Sequence, residues 1–163
     1  MQSRFKLLIY TESIYIFVSI IFALYIKSTL HLMMGFNMLL ALIPFMISYW
    51  LIKNEEIKGF AFIFVFLLWL LFFPNTFYFL TDLIHITKLS IYEIKRVDFN
   101  SVMIYHEDII EWLKLAHLML GAIGGALLGL SSLYQMHQIL LKRKVKYLND
   151  IDAFDIMKKV LIM

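Results

Sequence analysis

The sequence predicts an all-α fold: a polytopic integral membrane bundle of four transmembrane helices, with an amphipathic segment on the outer side after Pro74. Three observations lead there. The 163 residues are 62% hydrophobic and 17% charged, with a mean hydropathy of +0.81, whereas a soluble domain has roughly 45–50% apolar and 25% charged residues. The 15 Phe, 9 Tyr and 3 Trp, beside 2 Pro and 6 Gly, leave too little polar surface to coat a water-soluble globule. Four segments, 7–26, 32–52, 59–79 and 110–133, reach the roughly 20 apolar residues that cross a hydrocarbon core about 30 Å thick. With no cysteine in the chain, disulfides, thiolate metal sites and cysteine nucleophiles are excluded.

The first span follows Arg4 and Lys6 as a signal peptide would, but Glu12 interrupts it and no small-x-small cleavage site follows, so it reads as a retained anchor. Glu12 is expected near the inner face, snorkelling or protonated. The second span holds Asn37 and Pro44. Pro44 removes a backbone donor and is expected to kink the helix. The third span is apolar from Gly59 to Phe73, after which Pro74 either kinks it or starts a separate interfacial helix. Asn75, Tyr78, Asp82 and His85 then recur at spacings that align them on one helical face. Thr81 accompanies this stripe, and Lys88 and Tyr92 extend it. The stripe is either a wetted interfacial face or a ligand-facing site. The fourth span brings its own polar stripe, Glu107, Glu111, Lys114 and His117, and then Gly121, Gly125 and Gly129. Small residues four apart let helix backbones approach closely. Lys114 is expected to pair with Glu111 or Asp82, so that the two stripes share one outer-leaflet depth. Residues 1–135 thus form one transmembrane domain, and 136–163 a cytoplasmic basic tail.

Orientation follows from the basic residues, which accumulate on the cytoplasmic side. Arg4, Lys6, Lys53, Lys58, Lys142, Arg143, Lys144 and Lys146 flank one side, against Lys27, Lys88, Lys95 and Arg96 on the other. Both termini are therefore expected in the cytoplasm. Lys142 to Lys146 also suit anionic lipid, although a positive-inside stop signal accounts for most of that run. No aromatic residues interleave with these cations as a nucleic-acid stacking surface requires, so no nucleic-acid partner is expected.

Asp82 and His85, with His106, Glu107 and Asp108, offer imidazole and carboxylate for acid–base work on a lipid-linked substrate. The spacing matches no metal-site signature, so neither a metal nor a cofactor is expected. No phosphate loop, Gly-x-Ser-x-Gly elbow or His-Glu-x-x-His helix occurs. Asp150, Asp152 and Asp155 lack the glycine and the closing glutamate of a calcium loop, and read as a solvated turn.

Two segments resemble a known family. Asn37-x-x-Leu40-Ala41-x-Ile43-Pro44 and Phe72-x-Pro74-Asn75-x-x-Tyr78-x-x-Thr81-Asp82-x-x-His85 are similar to the pattern of the bacterial multi-pass membrane family catalogued as domain of unknown function 1361. The resemblance covers about residues 32–135. It implies a bacterial cell-membrane location and marks Asn37, Pro44, Pro74, Asn75, Tyr78, Thr81, Asp82 and His85 as part of the pattern, but it brings no activity. The family usually continues to a Gly-Arg-x-x-Arg-x-Asn-Ser-Trp-Asp motif. A chain ending at Met163 without it is expected to be a fragment or a short member.

Three functions follow as expectations. The leading one is a non-enzymatic membrane protein that binds a lipid or a partner membrane helix through the outer polar stripe and the glycine face. An enzyme using Asp82 and His85 on a lipid-linked substrate is the second, and a small transporter or transporter subunit the third. A topology reporter fused at Glu55 is expected to give a cytoplasmic signal and one at Lys95 an external signal. An external signal at Glu55 would overturn the orientation.

Overall fold

The structure, a computed structural model, describes residues 2–97 and 100–161. The side chains of residues 2, 4, 97, 100 and 148–161 lie outside the description, and with them the expectations for Arg4, Asp150, Asp152 and Asp155. Helix α1 (Gln2–Ile26) turns at Lys27 and Ser28 into α2 (Thr29–Lys53). The turn is tight enough to hold Lys27 at φ 53°, a region that residues other than glycine rarely enter. After a short loop, α3 (Gly59–Phe72) opens at Gly59, whose φ of 59° suits its missing Cβ. Beyond it lie a 3-10 turn (Phe73–Phe77), α4 (Tyr78–Asp82) and a second 3-10 turn (Leu83–Lys88). A hairpin of β1 (Tyr92–Val97) and β2 (Asn100–Tyr105) leads into α5 (Ile109–Leu161).

Four helical stretches are long and apolar enough to cross a membrane: Phe5–Ile26, Thr29–Lys53, Gly59–Lys88 and Ile109–Tyr147. This is the expected all-α polytopic bundle. Helix α2 is its centre and packs against α1, α3 and α5. Met34, Met38, Ala41, Leu42 and Phe45 recur at helical spacing along α2 and are buried among Tyr15, Phe79, Leu118, Ala122 and Leu128. A second cluster, Leu51, Trp69, Met136 and Ile139, closes the other end. Pro44 lies buried inside α2, which runs unbroken on both sides of it.

The structure departs from the sequence reading in three places. The polar stripe of 75–85 is not one continuous helical face, because 3-10 turns with three residues per turn flank the single short helix α4. The inward face is instead Thr76, Phe79, Leu83 and Ile86, one residue beyond the expected stripe. The mixed 80–109 connection contains an antiparallel hairpin, Tyr92 opposite Tyr105 and Ile94 opposite Met103. Its six-residue strands are invisible to a search for 20-residue apolar runs. Helix α5 is also unbroken across 135/136, so the expected tail continues the same helix as the fourth span; its 53 residues reach about 80 Å at 1.5 Å per residue.

Glycines on α5 set how closely the rest of the chain approaches. A Cβ on Gly125 would lie 2.5 Å from Phe79 Cδ2 and 2.8 Å from the Thr76 carbonyl oxygen, and one on Gly129 would lie 2.6 Å from Thr76 Oγ1. Gly121 receives the Tyr15 hydroxyl and the Met34 methyl group, and Gly124 faces the Glu12 carboxylate. The Gly125→Ala variant should unfold in detergent at a lower midpoint, at a cost of about 1–3 kcal/mol, because the backbone oxygen of Thr76 cannot rotate away. Leu127→Ala, at a position 48% exposed, should stay within about 0.5 kcal/mol. Equal midpoints for Gly125→Ala and the wild type would refute the close approach.

Candidate functional site

Three groups of polar side chains are placed by this fold. The first is at the hairpin end of the bundle, where the two sequence stripes were expected to meet on the outer side. Asn37 Nδ2–H donates to Asp82 Oδ2 at 3.0 Å. Lys114 Nζ takes Glu111, one of its two expected partners, at 2.6 Å, while Glu111 Oε2 accepts from the Ser90 amide at 3.2 Å. Asn75 turns back on the Phe72 carbonyl and Thr81 on the Tyr78 carbonyl. Tyr78 is 49% exposed, and His85 is half-buried. Among the described residues, no hydrogen bond joins Asp82 to His85 or to Lys114.

The second group is buried. His117, expected with the outer stripe, lies one turn deeper than Lys114 and faces α1 and α2. Its Nε2 is 2.9 Å from Ser19 Oγ, and its Nδ1 is 3.0 Å from His31 Nδ1. Ser19 Oγ–H donates to the Tyr15 carbonyl at 2.8 Å. With that hydroxyl hydrogen committed, His117 Nε2–H donates to Ser19, which leaves His117 Nδ1 to accept from His31 Nδ1–H. Two neutral imidazoles satisfy every bond. The His117 ring stacks on Tyr15 at 4.7 Å and on Phe22 at 5.2 Å, and the Tyr15 hydroxyl donates to the His117 carbonyl at 3.3 Å. Glu12, one turn away on α1, is 5% exposed against Gly124 and Met38, so of the two states expected for it its side chain does not snorkel but lies inside the bundle.

The third group lines a cleft of about 830 Å³ at the opposite end of the bundle from the outer stripe. Phe5 and Leu8 of α1, and Phe45, Leu51 and Ile52 of α2, form its apolar walls. Helix α5 supplies the remaining side as a graded stripe: Leu130 and Ser131, then Tyr134 and Gln135, then Gln138 and Ile139, then Lys142, Arg143 and Lys146. The spacing of three and four keeps these on one face. Gln135 Oε1 accepts from Ser48, within a chain in which Trp69 Nε1–H donates to Ser132 Oγ, 3.2 Å from Ser48. At the mouth, Lys142 Nζ is 2.7 Å from Glu55 Oε1. That hydrogen bond holds the Glu55 carboxyl below its ordinary range. Arg143 Nη2–H donates to the Ile57 carbonyl at 2.7 Å, and its guanidinium lies 3.8 Å above the Phe62 ring.

Among the described residues, no three His, Asp or Glu side chains converge as a metal-binding group would. Sequence reasoning passed over Tyr15, Ser19 and His31, yet Glu12, Tyr15 and Ser19 are spaced by three and four and form a polar stripe on the first span. The graded stripe of α5 was equally open to the periodicity test. Only its part beyond residue 135 reads from the sequence as a tail, on the strength of its charges.

A family model described as "Protein of unknown function (DUF1361)" matches residues 36–161. That range holds the outer stripe, the glycine face and the graded stripe of α5, whereas α1, with Tyr15, Ser19 and one cleft wall, lies outside it. No curated protein and no solved structure matches the chain.

The buried imidazole pair makes a stability prediction. His117→Leu leaves His31 and Ser19 without their partner and should cost about 2 kcal/mol, the penalty for orphaned buried polar groups. In a cycle with His31→Phe, read by unfolding in detergent, the double variant should cost clearly less than the sum of the singles. Strict additivity would show that the two rings do not interact.

Proposed function

The chain belongs to the DUF1361 family of proteins of unknown function, and we propose for it a non-catalytic role: holding a lipid of the surrounding bilayer in the cleft between α1, α2 and α5. One observation carries this reading. The cleft has the polarity profile of a phospholipid along its own length, from apolar side chains at Leu130, Phe45 and Leu8, through amides at Gln135 and Gln138, to cations at Lys142, Arg143 and Lys146. From Leu130 to Lys146 the stripe spans 16 residues, about 24 Å at 1.5 Å each. Its volume suits a small-molecule site, and its apolar part opposes lipid tails that are chemically indistinguishable from its walls.

With the basic end in the cytoplasm of a bacterial cell, as the charge distribution and the family resemblance imply, the cleft opens toward the inner leaflet. The binding site thereby moves from the outer stripe to the other end of the bundle. The outer stripe supports an enzyme less well, since Asp82 is engaged by Asn37 and a general acid–base pair must reach the same proton. A transporter would draw on Glu12, His31 and His117, but the cleft lining stops at Leu8 on α1 and at Leu130 on α5, short of them.

Lipid that stays with the purified protein can be counted by native mass spectrometry. Ser131→Trp and Leu130→Trp each fill the apolar part of the cleft from α5, and each should reduce the retained lipid several-fold while the unfolding midpoint stays near wild type. Wild-type lipid content in both variants would overturn the proposal.

A further inference from the structure

We propose that the lipid in this cleft is an anionic phospholipid, its phosphate received by Lys142, Arg143 and Lys146, with the Glu55 carboxylate as the resident counter-ion it displaces. This inference rests on the cleft holding a lipid at all. What it adds is the chemistry of the headgroup.

The basic residues converge on the cleft instead of decorating the helix. Four cations lie between 142 and 146 on α5, and three of them line the cleft while Lys144 does not. A stop signal acting by charge alone is indifferent to which face carries it. Arg143 is also built into place: its bond to the Ile57 carbonyl and its seat on the Phe62 ring fix the guanidinium at the mouth. A planar guanidinium keeps further N–H donors after one bond is made, in a geometry that matches phosphate oxygens. Lys146 lines the same mouth and forms no ion pair among the described residues.

Glu55 shows where an anion sits. Its carboxylate lies 2.7 Å from Lys142 Nζ, and both side chains are mostly exposed, at 63% and 65%. An exposed pair of this kind contributes little stability, so exchanging the carboxylate for a phosphate costs little. Among the described residues three cations face one carboxylate, which leaves this lining cationic. A zwitterionic lipid would bring its own ammonium into that field, whereas an anionic one brings only the compensating charge. Deeper in the cleft, Gln135 accepts from Ser48 through its Oε1 and so keeps its amide N–H groups for the ester carbonyls of a glycerolipid.

The test uses the full chain in detergent, titrated separately with phosphatidylglycerol and phosphatidylcholine, with bound lipid counted by native mass spectrometry. Phosphatidylglycerol should bind at least about tenfold more tightly, a difference of about 1.4 kcal/mol, because basic residues near the headgroup attract its uncompensated negative charge. Lys146→Gln should remove most of this preference, and Lys144→Gln, an equal change in charge two residues away and off the cleft, should leave it intact. Glu55→Gln should strengthen phosphatidylglycerol binding by removing the competing anion. Equal binding of the two lipids, both still lost in Ser131→Trp, would overturn the anionic headgroup and leave the cleft reading standing. Equal losses in Lys144→Gln and Lys146→Gln would mean diffuse surface attraction, and would also overturn it. Binding of neither lipid would overturn both readings.

Discussion

Gly125 has no side chain, and the ring of Phe79 and the carbonyl of Thr76 occupy the space a Cβ would need. Much of the half of the bundle nearer the hairpin follows from that contact. In lipid, helices gain no hydrophobic free energy by meeting each other, so close backbone approach and dispersion must hold them. The third span can approach α5 so closely only where it stops being a regular helix. Pro74 supplies the break, because its missing amide hydrogen is tolerated at the start of the 3-10 turn. The shorter turns then rotate Thr76 and Phe79 onto the glycine face, and Asp82 is delivered beside Asn37 of α2. Pro74 and the glycines are thus two halves of one device, separated by some 50 positions in the sequence.

The polar groups inside the bundle obey a related constraint. An unsatisfied donor costs more in lipid than at a water-facing surface, and every fully buried side-chain nitrogen and oxygen among the described residues has a partner. The Trp69, Ser132, Ser48 and Gln135 chain joins α3, α5 and α2 by this means. Ser19, His117 and His31 do the same for α1, α5 and α2. Each chain crosses three helices, so it fixes register in a way that interchangeable apolar contacts cannot. The small-residue face sets the distance between helices, and the polar chains set their relative rotation and depth.

Length and hydropathy made the spans legible, since crossing a bilayer leaves few alternatives to about 20 apolar residues in a helix. The four stretches were found with starts within about three residues of those observed, whereas the third and fourth continue to Lys88 and Tyr147, well past the expected ends at 79 and 133. The glycine face was also legible as a spacing, but its partner was not: nothing local in Gly121, Gly125 and Gly129 names Phe79 or Thr76. Where the reading failed, it carried one helical period across a segment in which the period changes. A stripe at 75, 78, 82 and 85 and one at 76, 79, 83 and 86 differ by a single residue, about 100° on a helix, and tertiary packing chose the apolar one. The hairpin was missed because its strands are as short as ordinary loops. His31 was missed because one histidine near a helix end has no periodicity, and only the fold shows that His117 is its partner.

Polar residues in a membrane protein serve two ends, and the structure separates them by where their hydrogen bonds go. At the hairpin end Asp82 is engaged by Asn37, Glu111 by Ser90 and Lys114, and the buried imidazoles are engaged by Ser19 and each other. Groups that satisfy one another hold the bundle together and have little left to offer a ligand. At the cleft the balance is reversed, because Gln138, Lys146 and Tyr134 border open volume and the nearest anion, Glu55, is an exposed and exchangeable one. Of the residues the resemblance marked, Asn37 and Asp82 therefore tie the third span to the second, whereas Asn75 bonds only within the turn after Pro74. The proposed lipid site draws instead on the part of α5 whose polarity changes steadily along its axis, since a gradient of that kind does nothing for packing but matches a molecule that is itself graded from hydrocarbon to charge.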